Sequence, residues 1–196
     1  LYISGTNDTH TPQLLKAIKK PNIKRIYLEK PAAISRQELN QLEALDNFNH
    51  GKFIMIGHQF LQKSAIRKAL AHWKTGVFGQ PIHFRTEYLH SSYLDPTYRK
   101  KNLDRLQPIP RQGAAADLGS HCLSLLTAFL GEDLAVKSAF MSGNFDDIPK
   151  GSDLCTTAII EDQSTGAVGT FLASRVSQGT GDQLVFEIYG TEGTLR

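Results

Sequence analysis

Apolar and polar residues alternate in blocks along the first sixty positions of the chain. Residues 1–5, 23–28 and 52–57 are short apolar runs rich in β-branched and aromatic side chains, and each run predicts a buried strand. Two segments with apolar residues at helical spacing, 13–20 and 35–45, separate these runs. The resulting β-α-β-α-β order predicts a parallel sheet with right-handed crossover connections.

Polar residues in front of the two helical segments predict where each helix begins. Thr11 followed by Pro12 is typical of an N-cap and a first helical position, because proline has no N–H to lose there. Ser35, with Glu38 three residues later, has the spacing of a capping box. We therefore expect the first helix to begin at Pro12 and the second just after Ser35.

After residue 60 the pattern changes from regular alternation to helices and strands in separate groups. Residues 65–74 and 114–130 predict helices, and between them lie a strand over 82–89 and a long polar loop over 91–112. The change near residue 60 predicts a domain boundary there. Four more strand-like segments, joined by turns rich in Gly, Asp and Ser, are typical of an antiparallel meander: 136–141, 154–160, 167–175 and 184–189.

The composition is that of a globular protein with little net charge. Charged residues make up 21% of the 196 positions and the net charge is +3, so neither disorder nor a nucleic-acid partner is favoured. Cys122 and Cys155 lie within apolar segments, which favours reduced thiols and a cytoplasmic location over a disulfide framework. No apolar run approaches membrane-spanning length. The strand-like segments at both ends begin or stop abruptly, so we expect the sequence to be part of a longer protein.

The tripeptide Glu29-Lys30-Pro31 directly follows the second apolar run. Pro31 disfavours a helical conformation at Lys30 and biases it towards an extended one. The carboxyl ends of parallel strands border the crevice in which open α/β sheets bind ligands. Lys30 is therefore a candidate for a ligand-binding ammonium group; the alternative is a surface lysine before an ordinary turn.

A second candidate for chemistry lies in the helix predicted over 114–130. Asp117 and His121 are four residues apart, so they share one face of that helix. A carboxylate beside an imidazole orients the ring and stabilises its protonated form, which suits a general base near neutral pH. A surface Asp–His pair and half of a metal site are the alternatives, although no third and fourth ligand with suitable spacing is present in the sequence.

Five short motifs follow one another along nearly the whole chain. Residues 3–10 form a strand followed by a Thr-Asn segment with a later histidine, and residues 29–31 are an E-K-P tripeptide. Residues 76–79 are a G-x-x-G turn, residues 113–121 end in D-x-G-x-H, and residues 190–194 are a glycine-threonine hairpin. In this order the motifs resemble those of the Gfo/Idh/MocA family of NAD(P)-dependent oxidoreductases.

The resemblance implies an α/β fold in two domains. Residues 1–60 would be the C-terminal part of a Rossmann-like parallel sheet, and thus a partial dinucleotide-binding domain. Residues 61–196 would be an α+β domain for substrate binding and oligomerisation, truncated at its C-terminus, with a largely antiparallel, open-faced sheet. The uncovered face of that sheet implies a homo-dimer or homo-tetramer.

The resemblance also implies NAD or NADP as cofactor and a catalytic role for three residues. Lys30 would hydrogen-bond the reacting hydroxyl of the substrate near the nicotinamide, and His121 would be the general base. Asp117 would orient His121 or contact a neighbouring hydroxyl. The cofactor would lie against residues that follow the first two strands: Thr6, Asn7, His10, Glu29, Lys30 and Pro31.

Several positions depart from the family pattern. The family's glycine-rich phosphate loop, and the residue that selects NAD or NADP, would precede residue 1. Residues 111–113 keep one of three glycines, and Ser124 stands where an aspartate is common. These departures leave the reaction class intact, but they leave the substrate and the cofactor preference open.

Hydroxyl-bearing and positively charged residues of the predicted loop are candidates for substrate contacts. They are Tyr93, Arg99 and Arg111, and His58 after the third strand is a further candidate. Such side chains suit a sugar, a cyclitol or a sugar acid. The alternative is a solvated basic loop.

The implied function is transfer of a hydride to or from a secondary hydroxyl or carbonyl group of a carbohydrate-like molecule, without a metal, nucleic-acid or membrane partner. Two other functions stay open. One is a non-catalytic regulator of the same fold that senses a dinucleotide or sugar, and the other is an NAD-dependent glycosidase. The presence of Lys30, Asp117 and His121 together favours the dehydrogenase or reductase over the regulator, since a sensor has no need for all three.

Overall fold

The computed structural model describes residues 1–46, 51–108, 113–143 and 145–196. Within these ranges the chain divides into two compact units, Leu1–His58 and Gln59–Arg196. No helix in the described part of the chain is long and apolar enough to cross a membrane.

The first unit is a three-stranded parallel sheet in the order β1-β2-β3, with one helix in each connection. Its elements are β1 Tyr2–Ile3, α1 Asn7–Ile18, β2 Arg25–Leu28, α2 Arg36–Asp46 and β3 Phe53–Ile56. Apolar residues at helical spacing on α1, including Leu14 and Ile18, bury against Ile26 and Leu28 of the central strand. The predicted β-α-β-α-β order and parallel pairing are confirmed.

Helix α1 begins earlier than predicted. Thr6 has the extended backbone of an N-cap, its carbonyl accepts a hydrogen bond from the Thr9 N–H at 2.8 Å, and Pro12 lies inside the helix. Thr11 is buried, and its hydroxyl donates to the Ala32 carbonyl at 2.9 Å. The predicted N-cap at Thr11 was therefore wrong. The Thr11 hydroxyl does not cap the helix but joins α1 to the segment after β2.

The predicted capping box in front of α2 is confirmed in one of its two hydrogen bonds. The Ser35 hydroxyl accepts the Glu38 N–H at 3.2 Å. The Glu38 carboxylate accepts the N–H of Ile34 at 2.9 Å, and not that of Ser35. The carboxylate still satisfies a free backbone donor in front of the helix.

Strand β3 is exposed, whereas its apolar sequence predicted a buried strand. Phe53 is 59% exposed and Ile56 is 41% exposed. The physical reason is position, since β3 lies at one edge of the three-stranded sheet and pairs only with β2 among the described strands.

The second unit is built on a six-stranded sheet in the order β5-β6-β7-β4-β8-β9. All pairings are antiparallel except that of β4 with β7, which is parallel. The sheet is therefore largely antiparallel, as expected, but it is not the simple meander that the turn spacing predicted, because β4 inserts between β7 and β8. Its strands are β4 Pro81–Leu89, β5 Leu134–Ser142, β6 Cys155–Asp162, β7 Val168–Ser174, β8 Gln183–Gly190 and β9 Thr194–Leu195.

In the described part of this unit, the sheet is accompanied by α3 Ser64–Trp73, α4 Pro96–Lys101 and α5 Ser120–Leu130. The buried side of α5, with Cys122, Leu125 and Leu126, joins strand residues such as Phe84 and Phe171 in the main core. Both cysteines of the chain are free, and burial raises the pKa of the Cys122 thiol to about 11. Cys122 is therefore a small core residue and not a reactive thiolate.

The segment predicted as one long loop contains short helices where it is described. Ser92–Leu94 and Leu103–Leu106 are 3-10 turns on either side of α4. The carboxylate of Asp95 caps α4 by accepting the Thr97 N–H at 2.8 Å. Arg111 lies in 109–112, outside the described residues.

Candidate active site

In the first unit, the predicted site residues follow the carboxyl ends of the three parallel strands. The Glu29 N–H donates to the Ile3 carbonyl at 2.8 Å, and the Gly57 N–H donates to the Leu28 carbonyl at 2.7 Å. These bonds continue the ladder past the strand ends, so Lys30 lies at the same sheet edge as His58 and as the start of α1. The peptide bond between Lys30 and Pro31 is cis.

His10 ties helix α1 to the E-K-P segment. Its side chain is buried, with Nδ1 at 2.8 Å from the Pro31 carbonyl oxygen and Nε2 at 3.0 Å from the Gly5 carbonyl oxygen. Both ring nitrogens thus lie at backbone carbonyls on the two sides of the sheet edge. This geometry favours a supporting role for His10, in which it shapes the edge on which Lys30 is mounted.

Glu29 is held by a tyrosine of the neighbouring strand. The Tyr2 hydroxyl donates to Glu29 Oε1 at 3.0 Å, and this hydrogen bond to a carboxylate raises the pKa of Tyr2. The ring of Tyr2 stacks on that of Tyr27 at 4.9 Å between centroids. The Glu29 side chain is therefore fixed beside Lys30.

His58 is half-buried at the end of β3. Its pKa is lowered by burial and, next, by the positive charge of Lys30. Its Nδ1 is buried and has no hydrogen-bond partner within the described ranges of the chain. A half-buried imidazole beside Lys30, with a buried ring nitrogen that has no partner in the described ranges, is what a ligand-binding edge provides.

In the second unit, the helical segment that carries Asp117 and His121 is capped by a carboxylate that is distant in sequence. The Asp153 side chain accepts the Ala115 N–H at 2.8 Å, and the Asp153 carbonyl accepts the Ala114 N–H at 3.0 Å. Gly113 has φ +132°, and a Cβ there would lie 2.8 Å from Asp153 Oδ2. Asp153 therefore takes the place of a local N-cap residue.

Sequence reasoning missed this role of Asp153. The signal was indirect, since residues 113–116 contain only glycine and alanine and so offer no side chain that can cap a helix. A helix start without a local cap calls for one from elsewhere in the fold.

The helix predicted over 114–130 is present, but its first part is a π-helix. Ala115–Gly119 form the π-helical turn, and α5 continues from Ser120. Asp117 lies in the π-turn and His121 in the first turn of α5. π-helical turns inside α-helices are common at functional sites.

Asp117 makes an ion pair with a buried arginine. Arg175 Nη2 donates to Asp117 Oδ2 at 2.9 Å, and Arg105 Nη1 lies 3.8 Å from the same oxygen. Arg175, the residue after β7, was not among the predicted site residues. The sequence feature that could have identified Arg175 is the one that selected Lys30, namely a cation directly after the carboxyl end of an apolar strand.

His121 is buried among aromatic rings. Its ring centroid lies 4.9 Å from that of Phe60 in an edge-on arrangement and 5.7 Å from that of Tyr88. Burial raises the pKa of Tyr88, and a hydrogen bond with Asp182 raises it further. The rings restrain the imidazole and keep its surroundings low in polarity.

Tyr93 and Arg99, predicted as substrate contacts, both lie in the interior of their segment. Tyr93 is 2% exposed, and its hydroxyl has no hydrogen-bond partner among the residues that the structure describes. The Arg99 guanidinium pairs with Asp147 at 2.9 Å and donates to the Tyr93 carbonyl at 2.8 Å. Arg99 thus organises the loop itself, and direct substrate contact by either residue stays a prediction.

The described ranges hold no group of three or more His, Cys, Asp or Glu side chains arranged for a metal ion. The first unit offers an ammonium group at a sheet edge, and the second offers an imidazole packed against aromatic rings. One stabilises negative charge on oxygen, and the other takes up or releases a proton.

Comparison with known proteins agrees with these elements. A family model described as the GFO/IDH/MocA C-terminal domain matches residues 66–196. The chain therefore belongs to the GFO/IDH/MocA family, and the resemblance drawn from its motifs is confirmed.

Two curated relatives and one solved structure are particularly similar. The levoglucosan dehydrogenase of Pseudarthrobacter phenanthrenivorans is 27% identical over 194 residues, which cover 88% of this chain and 48% of the relative. The 1,5-anhydro-D-fructose reductase of Ensifer adhaerens is 26% identical over 195 residues, covering 100% and 55%. A levoglucosan dehydrogenase solved in complex with NADH and levoglucosan has a TM-score of 0.83 and 26% identity, over 98% of this chain and 52% of that chain.

The chain thus spans about half the length of the curated relatives it matches. The fold class expected from the sequence, a Rossmann-like parallel sheet followed by a largely antiparallel α+β sheet, is confirmed.

Proposed function

We propose that this chain belongs to an NAD(P)-dependent oxidoreductase that moves a hydride to or from a secondary hydroxyl or carbonyl group of a sugar or cyclitol. The observation that carries the proposal is the family match together with Lys30, Asp117 and His121 at the motif positions. The relatives are named as a dehydrogenase and a reductase of sugar derivatives, which supports the substrate class.

The proton that leaves oxygen and the charge that develops there suggest a role for each polar residue. Oxidation of a carbinol removes a hydride from carbon and a proton from oxygen. In this proposal His121 takes the proton on a ring nitrogen, and the Lys30 ammonium donates a hydrogen bond that stabilises negative charge developing on oxygen. In the reductive direction His121 returns the proton and Lys30 polarises the carbonyl.

The nicotinamide dinucleotide, when bound, supplies the hydride acceptor or donor. The sheet edge of the first unit fits the nicotinamide part of such a group, because polar side chains follow β1 and β2 at the carboxyl edge of the parallel sheet. The buried Nδ1 of His58, which has no hydrogen-bond partner among the described residues, is a further polar atom at that edge. We propose that the cofactor contacts Thr6, Asn7, Glu29, Lys30 and Pro31 there, with His10 behind them.

The test is turnover by the intact protein with NAD and with NADP over a panel of sugars, anhydrosugars, cyclitols and sugar acids, followed by nicotinamide absorbance. Lys30→Met and His121→Gln are each expected to lower kcat by about 10²–10⁴-fold, as for loss of a group that acts on the reacting oxygen. The exposed Lys74→Met and His72→Gln on and after α3 are matched controls and keep wild-type turnover.

Normal turnover in the Lys30 or His121 variant contradicts the catalytic assignment. Cofactor binding without any redox change across the panel identifies a regulator instead. Cleavage of aryl glycosides without net reduction of NAD identifies a glycosidase.

A further inference from the structure

Arg175 is fully buried, with a relative exposure of 0%. Its Nη1 donates to the Arg105 carbonyl at 2.8 Å, and its Nη2 donates to Asp117 Oδ2 at 2.9 Å. Its guanidinium carbon lies 4.8 Å from the centroid of the Tyr93 ring. A buried cation is costly unless it is paired, and Asp117 provides the charge that pairs it.

The backbone of Arg175 is held as firmly as its side chain. Its N–H donates to the Leu154 carbonyl at 2.8 Å, and its carbonyl accepts the Tyr93 N–H at 3.1 Å. Arg175 is thereby fixed between the segment before β6 and the segment after β4. An arginine whose backbone and guanidinium are both held by hydrogen bonds sets the position of the carboxylate that it binds.

Arg105 and Arg175 both lie near Asp117 in the described part of the chain, and Arg175 dominates the pairing. Arg105 lies 3.8 Å away and its side chain is 59% exposed, so solvent screens its charge. Arg175 lies 2.9 Å away and is shielded from solvent, where the same charge acts more strongly.

We propose that Arg175 is a positioning residue, which holds the Asp117 carboxylate in a single orientation in the π-turn one turn ahead of His121. The inference rests on the proposed function, because it gives Asp117 a part in catalysis. A carboxylate held this way presents a fixed negative charge to the imidazole and to a substrate hydroxyl. Without Arg175, Asp117 samples several rotamers, and the geometry around the reacting oxygen is loosened.

The test is a double-mutant cycle in the intact protein with Arg175→Met, Asp117→Asn and the double variant. Arg175→Met is expected to lower kcat by about 10–10²-fold, the usual cost of misplacing a group by about 1 Å, with little change in the KM for the cofactor. In the Asp117→Asn background the same substitution changes kcat by less than about twofold, because the two residues act as one unit.

Two further variants separate positioning from simple stability. Arg175→Lys keeps the charge and is expected to recover part of the kcat lost in Arg175→Met. Asp162→Asn is the matched control: Asp162 is equally buried and hydrogen-bonded, but it lies at the opposite end of the β6–β7 hairpin. It lowers the melting temperature and leaves kcat unchanged.

The outcomes distinguish this inference from the proposed function. Wild-type turnover in Asp117→Asn and His121→Gln overturns both. Loss of turnover in those variants, with unchanged kcat in Arg175→Met or with additive losses in the double variant, overturns only the role of Arg175. If Arg175→Met does not fold, Arg175→Lys is made in the wild type and in Asp117→Asn, and the two effects on kcat are compared in the same way.

Discussion

Single residues in the two units provide opposite environments for the proposed chemistry. Lys30 is partly exposed at a sheet edge, where its side chain can donate hydrogen bonds to a ligand. His121 is buried against Phe60 and Tyr88, where its ring is restrained. The two residues therefore suit the separate roles proposed for them, hydrogen-bond donation by Lys30 and proton uptake by His121.

His58 makes the stability of the protein depend on pH. Burial and the charge of Lys30 lower its folded-state pKa below the ordinary 6.5, whereas the unfolded chain keeps that value. Between the two pKa values the unfolded chain binds more protons, so the free energy of unfolding rises with pH through this window and is lowest below the folded pKa.

We therefore expect His58→Gln to reduce the loss of melting temperature on going from about pH 7.5 to about pH 5. His90, whose pKa is lowered by burial and by Arg175, contributes with the same sign, so the dependence is reduced and not abolished. The exposed His72→Gln serves as control and leaves the pH profile as in wild type. An unchanged profile in His58→Gln contradicts this account.

At the scale of secondary-structure elements, the π-turn before α5 packs closely against the sheet. Gly119 packs on β7, and a Cβ at this position would overlap the ring of Phe171. Gly119 lies between Asp117 and His121 in the chain. The absence of its side chain therefore sets how deeply both residues are held against the sheet.

Gly119→Ala is expected to destabilise the protein by about 1–3 kcal/mol, since the helix has to move away from β7 or Phe171 has to leave its position. A second change, Phe171→Leu, makes room and is expected to recover part of that loss. Gly181→Ala is the matched control, because a Cβ there meets nothing within 4 Å. Chemical denaturation compares these three variants with the wild type, and wild-type stability in Gly119→Ala contradicts the prediction.

Local pattern was a good guide to elements and a poor guide to their partners. The bounds of α3 and β4 and the separate helix before Gly131 follow from periodicity and turn residues close in sequence. The insertion of β4 between β7 and β8 could not be predicted this way, because hairpin spacing describes neighbours in the chain and not strands about eighty residues apart.

On the scale of the whole molecule, the second unit exposes apolar residues on its sheet. Phe140 is 77% exposed and Val168 is 44% exposed. Exposed apolar surface on a sheet favours association, and we propose self-association through this sheet as the sequence predicted.

Phe140→Asp is expected to shift the intact protein towards smaller oligomers in light scattering coupled to gel filtration. The expected reason is that a carboxylate cannot be buried in an apolar interface without a partner. Val77→Asp is the matched control, since Val77 is 59% exposed in the turn between α3 and β4 and away from the sheet strands. An unchanged mass for Phe140→Asp places the interface elsewhere.

The sequence by itself determined the order of elements, the sheet edge that carries Lys30, and the spacing of Asp117 and His121 along one helix. These are properties of neighbours in the chain, whose periods and breakers act locally. Only the tertiary structure decided that Asp153 starts that helix from 38 residues away and that Arg175 pairs with Asp117 across 58 residues. Such contacts exist only after the strands have paired, because a buried charge or an uncapped N–H takes whichever partner the finished fold brings within reach.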